Sequence, residues 1–209
     1  MAKTIRRIMA ACVLTLLSAT PPQAASKPVT AKAGLAEARK TAKAWQADAE
    51  PTVIVSTGHA LADGRASYEV FAPEQAGAPV GGVLRVIKVT PRPEPWLYLF
   101  YSKATGKGCR ILFGPQGPKL LEESSVSPEE KEVLPNEFVD SDQAMAEAVR
   151  NGFQPDRRHK NSMRIGTCHY FPEPVWVVYD SDKKDYMYVI SARTGKFLRK
   201  TDFILSCSS

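Results

Sequence analysis

The chain has 209 residues, of which 44% are hydrophobic and 24% charged, with a formal net charge of +6 and four cysteines. This composition is ordinary for a globular protein, and it excludes collagen-like, low-complexity and fully disordered chains. The length allows one large domain or two small ones. Beyond the N-terminus, no apolar run approaches the ~20 residues that a membrane-spanning helix needs. We therefore expect no stable membrane span.

The N-terminus predicts export from the cytoplasm. Lys3, Arg6 and Arg7 precede an apolar segment at residues 8–19, and small residues follow it. A basic head, a short apolar core and a small-residue exit are typical of a secretory signal peptide. A buried N-terminal helix is the alternative. We predict a signal peptide over residues 1–25 and a periplasmic or secreted mature protein.

Removal of this segment changes the charge. It contains three basic and no acidic side chains, so the remaining 184 residues carry 25 basic and 22 acidic side chains. The net charge falls to +3. The basic isoelectric point of the whole chain is therefore no longer an argument for nucleic-acid binding. We expect no nucleic-acid partner.

The cysteines are subject to the same correction. Cys12 lies inside the apolar core of the signal, where a lipid-anchored cysteine would not stand, so Cys109, Cys168 and Cys207 remain. In an oxidising compartment two of the three are expected to pair. We predict a disulfide between Cys168 and Cys207, which would tether the C-terminal tail. Pairing of Cys109 with either of them is the alternative.

The first unit, residues 26–114, is predicted to be a helix followed by an antiparallel sheet. Apolar residues recur at helical spacing up to a stop at Pro51. Segments rich in β-branched and aromatic residues, separated by turn signals, then predict strands. The helix face comprises Leu35, Ala38, Ala42, Trp45 and Ala49, and the strands cover residues 52–56, 66–72, 83–89, 96–102 and 109–113.

A proline-rich, glutamate-rich stretch at 115–138 is predicted to be a surface linker, with an acidic partner-binding loop as the alternative. A second unit, residues 139–209, then repeats the order of helix and sheet. Asp140 and Gln143 have the spacing of a capping box, and Asn151-Gly152 ends the helix. Its strands are predicted over residues 163–171, 175–180, 186–192 and 196–200. The fold class is therefore α+β, with two helix-on-antiparallel-sheet units.

Two sequence echoes relate the units. PEPWLYLFYS at 93–102 is similar to PEPVWVVYDS at 172–181, and SKATGK at 102–107 is similar to SARTGK at 191–196. The offsets of the two echoes differ, so the chain is not a simple tandem duplication. They support two related units or shared hairpin chemistry.

The C-terminal half resembles PepSY-type domains over about residues 139–200. The resemblance is carried by the helix from Ser141 to Ala148, the Trp-containing strand from Trp176 to Asp180, the strand from Tyr186 to Ala192, and the turn Thr194-Gly195-Lys196. The N-terminal half is more weakly similar to a PepSY-like helix-plus-sheet unit. The resemblance implies a cystatin-like or PepSY-like module that binds or restrains other proteins, often peptidases, without catalytic residues of its own.

The chemistry-bearing residues form no recognised constellation. The histidines are His59, His159 and His169, and none of them has the spacing of a zinc site. Asp180, Asp182 and Asp185 resemble a solvated turn more closely than a calcium loop, since the usual glycine is absent. No nucleophile elbow, phosphate loop or dinucleotide fingerprint appears. We predict no catalytic residue, no metal and no cofactor.

The function predicted from the sequence is a secreted or periplasmic, non-catalytic, protein-binding or inhibitory module acting on an envelope or extracellular protein such as a peptidase. One alternative is a small secreted hydrolase or thiol-dependent enzyme that uses Cys109 or Cys168 with a histidine. Another is a structural envelope protein. Aromatic residues of the strands form the candidate partner surface, namely Trp96, Tyr98, Trp176, Tyr179, Tyr186 and Tyr188.

Overall fold

The computed structural model describes residues 29–57, 59–67, 96–114, 116–155, 160–183 and 185–202. These residues form two α-helices, ten β-strands and a short 3₁₀ turn at Glu129–Lys131. The helices are α1 (Ala31–Trp45) and α2 (Ser141–Arg150). The strands are β1 (Glu50–Ser56), β2 (His59–Ala60), β3 (Ala66–Ser67), β4 (Trp96–Ser102), β5 (Lys107–Gly114), β6 (Gly117–Ser124), β7 (Asn161–Gly166), β8 (Val175–Asp180), β9 (Tyr186–Ser191) and β10 (Phe197–Asp202).

Helix α1 buries the face that the helical spacing predicts. Leu35, Ala38 and Ala42 are buried, and the small alanines bring the helix close to the sheet. The helix ends at Trp45, earlier than the predicted stop at Pro51, because Gln46 is already extended. Pro51 lies inside β1 instead. The apolar spacing therefore identified the helix but placed its end too late.

Helix α2 is capped by Asp140, as predicted, but not through a capping box. The Asp140 side chain accepts a hydrogen bond from the backbone N–H of Ser141, and the N–H of Gln143 donates instead to Asp142 Oδ1. The helix stops at Asn151, and Gly152 then adopts a φ of +98°. That left-handed conformation is accessible to glycine at low cost, which explains the Asn-Gly stop signal.

The main sheet has eight strands in the order β10-β9-β8-β7-β1-β4-β5-β6, and every pairing is antiparallel. Strands β1 and β7 join the two halves, with Ile54 opposite Ile165 and Val55 opposite Arg164. The fold is thus α+β, as expected. The halves share one continuous sheet, whereas the sequence predicts a sheet for each.

The predicted linker contains a strand. Residues 117–124 form β6, which pairs with β5 at one edge of the sheet. The chain then crosses the end of the sheet, where the N–H of Leu134 donates to the carbonyl of Pro51 at 2.8 Å. The predicted strand at 83–89 lies outside the described residues, and only 66–67 of the strand predicted at 66–72 are described, as β3.

One core lies between the helices and one face of the sheet. Both helices contribute to it, together with Trp96, Phe100 and Trp176. On the C-terminal half, a second cluster involving Cys168 and Val177 forms on the other face, since neighbouring residues of a strand point to opposite sides. In the part of the chain that the structure describes, no helix has the length and apolar character needed to cross a membrane.

The N-termini of the two helices meet. Asp140 Oδ1 accepts from the N–H of Lys32 at 3.0 Å as well as from Ser141, and Ser141 Oγ accepts from the N–H of Ala31 at 3.1 Å. The N-cap residue of α1, Thr30, makes no capping bond with its own side chain. Two positive helix ends therefore share one carboxylate, which offsets their mutual repulsion.

Candidate functional site

The structure places most of the predicted aromatic surface in the core. Trp96, Tyr98, Trp176 and Tyr188 are buried, and only Tyr179 and Tyr186 reach solvent. Burial follows from the strand period, because the four point to the face that the helices cover. These four residues are thus core residues rather than a partner surface. Tyr186 is 46% exposed and lies beneath the ammonium of Lys200, 3.9 Å from its ring centroid.

A groove with a volume of about 350 Å³ lies instead at one end of the sheet. The turn after α1, the start of β1, the end of β4 and the crossing segment after β6 build it. Glu50 and Tyr101 lie opposite each other across the β1–β4 pair, so the groove has a rigid floor. Its lining residues are Asp48, Glu50, Tyr101, Lys103, Lys131 and Val133.

Both carboxylates of the groove are held by neighbouring groups. Asp48 accepts from Ser102 Oγ at 2.7 Å and from the N–H of Ala104 at 2.8 Å. These bonds, led by the one from Ser102, hold the pKa of the Asp48 carboxyl below its ordinary value. Glu50 pairs with Lys43 at 2.7 Å. Because the donors to Asp48 are neutral, its carboxylate keeps its negative charge, whereas the charge of Glu50 is offset by Lys43.

The lysines of the groove are in a different situation. Lys103 and Lys131 form no ion pair with any carboxylate in the described ranges. Tyr101 and Val133, which is 50% exposed, line the same groove. A concave apolar surface with a few charged groups at its rim is the usual form of a binding site. The groove suits an apolar side chain with negative charge next to the lysines, while Asp48 disfavours negative charge beside itself.

Sequence reasoning missed this groove. Val133 and Lys131 lie in the stretch predicted to be a linker, and Asp48 and Lys103 lie in turns. No spacing in the sequence relates them, since the groove forms only when the crossing segment docks beside β1. An apolar residue within an acidic loop is the one local signal that was present.

The cysteines separate into two environments. Cys109 on β5 is a free thiol, is 1% exposed, and has its pKa raised to about 11 by burial and by the nearby Glu123. The alternative pairing of Cys109 with another cysteine is therefore wrong. Cys168 is buried and disulfide-bonded, with its partner outside the described residues. Cys207 also lies outside them, and the Cys168–Cys207 bond stays a prediction.

These environments bear on the thiol-dependent alternative. A nucleophilic cysteine needs a lowered pKa and an accessible thiolate. Cys109 has the opposite environment, and the sulfur of Cys168 is engaged in a disulfide. Neither described cysteine offers the activated thiolate that such an enzyme would use.

The remaining predicted polar residues form no joint site in the described chain. His169 is exposed and stacks on Tyr170 at 3.8 Å between ring centroids, in a loop rather than in the predicted strand. Asp180 Oδ1 accepts from the N–H groups of Asp182 and Lys183, as a polar turn requires. Among the residues described, no group of His, Cys, Asp and Glu could hold a metal ion. His159 lies outside the described residues.

Comparison with known proteins gives no match. No protein-family model, no curated protein and no solved structure is significantly similar to the chain.

Proposed function

We propose that the chain is a non-catalytic protein-binding module that acts in the periplasm or outside the cell after removal of residues 1–25. The observation that carries this proposal is the groove, which the half-exposed Val133 and Tyr101 line together with two lysines that form no ion pair within the described residues. The apolar floor would take a side chain of the partner, and the lysines would meet carboxylates that flank it.

The division of the chain into two structural units is part of the same proposal. We take the chain as two related helix-on-sheet units, the second of the PepSY type. In support, α1 packs on β1, β4, β5 and β6, and α2 packs on β8 and β9. Because the resemblance to PepSY-type domains implies a module that restrains peptidases, we propose a peptidase as the protein that this chain binds. The structural-envelope alternative would predict contact with polymer rather than with one protein.

A photo-crosslinking experiment tests the groove. A photoreactive phenylalanine analogue replaces Val133 in the full chain, which is then irradiated in an envelope extract of the source cells. Val149, on α2 and 41% exposed, serves as the matched control position. We expect a defined protein adduct from position 133 that position 149 does not give, and mass spectrometry of that adduct to identify the partner.

Competition makes this result decisive. An excess of the wild-type chain should suppress the adduct, whereas the Val133→Asp variant, which places a charge among the apolar atoms of the groove, should not. The Val149→Asp variant should compete like wild type. Absence of a defined adduct at position 133, or equal adducts at both positions, would contradict the proposal.

A further inference from the structure

The two edges of the described sheet differ in their charge. On β6, Glu122 pairs with Arg110 at 2.7 Å, and Glu123 pairs with Lys107 at 3.2 Å. Glu123 also accepts from the indole of Trp45, and this bond, ahead of Lys107, lowers the pKa of its carboxyl. Pro118 further removes one backbone donor from this edge strand. The β6 edge is therefore largely neutralised from within the chain.

The β10 edge carries positive charge without such compensation. Arg199 and Lys200 on the strand, and Arg193 and Lys196 just before it, form no ion pair with a carboxylate of the described chain. Leu198 between them is 40% exposed. Among the described strands, β10 has a neighbour on one side only, and it carries an exposed apolar side chain, two cations without an ion pair and a single acid, Asp202, at its end.

The cations lie on both faces of this edge. Arg199 is opposite Val189, and its guanidinium lies 5.3 Å from the centroid of the Phe171 ring. Lys200 is opposite Tyr188 on the other face and lies over Tyr186. Because the aromatic rings hold both side chains against the sheet, their positive charge stays beside the open edge. A strand laid along this edge would meet a cation above and below the sheet.

We infer that β10 accepts an extended acidic segment of a partner protein as an additional strand of the sheet. This inference rests on the proposed function, since it assumes that the chain binds a protein, and it adds a second contact surface. Backbone hydrogen bonds to the outward N–H and C=O groups of β10 would supply affinity. Two adjacent carboxylates, which point to opposite faces of the added strand, would meet Arg199 on one face and Lys200 on the other and supply selectivity.

Basic residues and a bulge on an edge strand also discourage aggregation, and β10 has a register shift between Phe197 and Arg199. Protection alone predicts that no strand binds. A peptide titration of the full chain separates the two interpretations. The probe is a labelled peptide of sequence Val-Thr-Val-Glu-Glu-Val-Thr-Val, whose two adjacent glutamates point to opposite faces of a strand. Its binding is measured by fluorescence anisotropy at low and physiological salt.

Two altered peptides identify what is recognised. In one, lysine replaces each glutamate, and in the other, alternate backbone amides of the acidic peptide are N-methylated on the edge that would pair. We expect the acidic peptide to bind, both altered peptides to bind about tenfold more weakly or worse, and hydrogen exchange of residues 197–202 to slow when the acidic peptide is added. Equal binding of the N-methylated peptide, or no slowing of exchange, would overturn the inference.

Chain variants locate the contact. Arg199→Glu with Lys200→Glu should weaken binding of the acidic peptide by about tenfold or more, while Lys119→Glu on β6 should leave it unchanged. Equal weakening by both would overturn the inference, as would binding only to anionic lipid vesicles or only to a second copy of the chain. The adduct at position 133 would survive such an outcome, so failure of this inference is distinguishable from failure of the proposed function.

Discussion

Trp96 and Trp176 meet edge to face in the core, with their ring centroids 6.3 Å apart and their planes inclined by 70°. Each indole Nε1 donates at 2.8 Å to a carbonyl just before a helix, Trp96 to Val29 before α1 and Trp176 to Val139 before α2. The two tryptophans of the PEPW and PEPVW echo thus have the same structural role, because each forms a hydrogen bond between its strand and the chain segment that leads into a helix.

Replacement of either tryptophan by phenylalanine should therefore have a similar effect. Trp96→Phe and Trp176→Phe each leave a carbonyl without its donor, and we expect each to lower the free energy of unfolding by about 1–3 kcal/mol. Trp45→Phe is the control, because the Trp45 indole donates to an exposed carboxylate, and it should cost less than about 1 kcal/mol. Urea denaturation of the full chain measures all three. An equal loss of unfolding free energy in all three variants would contradict the idea that Trp96 and Trp176 share a structural role that Trp45 lacks.

Asp140 should contribute more to the free energy of unfolding than an ordinary helix cap, because its side chain accepts hydrogen bonds at the N-termini of both α1 and α2. Asp140→Ala removes acceptors from the N–H groups of both Ser141 and Lys32, and we expect a loss of about 2 kcal/mol, roughly twice the usual value. Asp142 lies in the first turn of α2 and, among the described residues, accepts a hydrogen bond only from its neighbour Gln143. Asp142→Ala should therefore lower the free energy of unfolding by only about a few tenths of a kcal/mol. Thermal or urea unfolding compares the two, and a cost for Asp140→Ala no larger than that for Asp142→Ala would exclude the shared cap.

The raised pKa of the Cys109 thiol predicts that the folded chain loses stability at alkaline pH. Its thiol has a pKa raised from 9.0 to about 11 in the folded chain, so the unfolded state loses the proton first as the pH rises. The contribution of the protonated Cys109 thiol to the free energy of unfolding is fully present below pH 9. It declines by up to about 2 kcal/mol between pH 9 and pH 11.

The comparison with Cys109→Ala isolates this effect, since the other alkaline titrations are common to both chains. We expect the stability difference between wild type and variant to shrink as the pH is raised from 8 to 10.5, as measured by urea unfolding at each pH. A difference that stays constant with pH would contradict the raised pKa. A thiol reagent should also label the folded chain slowly at pH 8 and the unfolded chain rapidly.

The predicted disulfide has a direct test. Proteolysis of the unreduced full chain, followed by mass spectrometry, should give a peptide pair that joins Cys168 to Cys207. Cys207→Ser should then lower the free energy of unfolding by about 2–4 kcal/mol under oxidising conditions and have no effect once the wild type is reduced. Recovery of Cys168 joined to another cysteine would show that the pairing is wrong.

Local patterns predicted much of the secondary structure. The bounds of β4 and β8 agree with the prediction, because an alternating run of aromatic and β-branched residues between turn signals has few other stable conformations. Strand β6 was predicted to be part of a linker, because its residues include no β-branched side chain and lie among prolines and glutamates. Its strand conformation comes from pairing with β5 rather than from its own side chains.

The candidate site was the least predictable part. The sequence directed attention to aromatic side chains, and the structure buries most of them, because a strand residue's exposure depends on which face the helices cover. The groove depends on residues brought together from distant segments, such as Asp48, Tyr101 and Val133, and the position of the basic strand β10 at an edge depends on the strand order of the sheet. Exposure and proximity of this kind are properties of the assembled sheet.

By itself, the sequence determined the helix stop at Asn151-Gly152, the period of the strands and the α+β class, since each depends on neighbours within a few residues along the chain. Only the tertiary structure decided that β1 and β7 join the halves into one sheet, that Asp140 caps two helices, and that β10 is left as a charged edge. The physical reason is that strand pairing and helix docking are contacts between segments far apart in the chain. Ile54 and Ile165 are equally suited to many partners, and the packing of the whole core selects the one pairing in which both are buried.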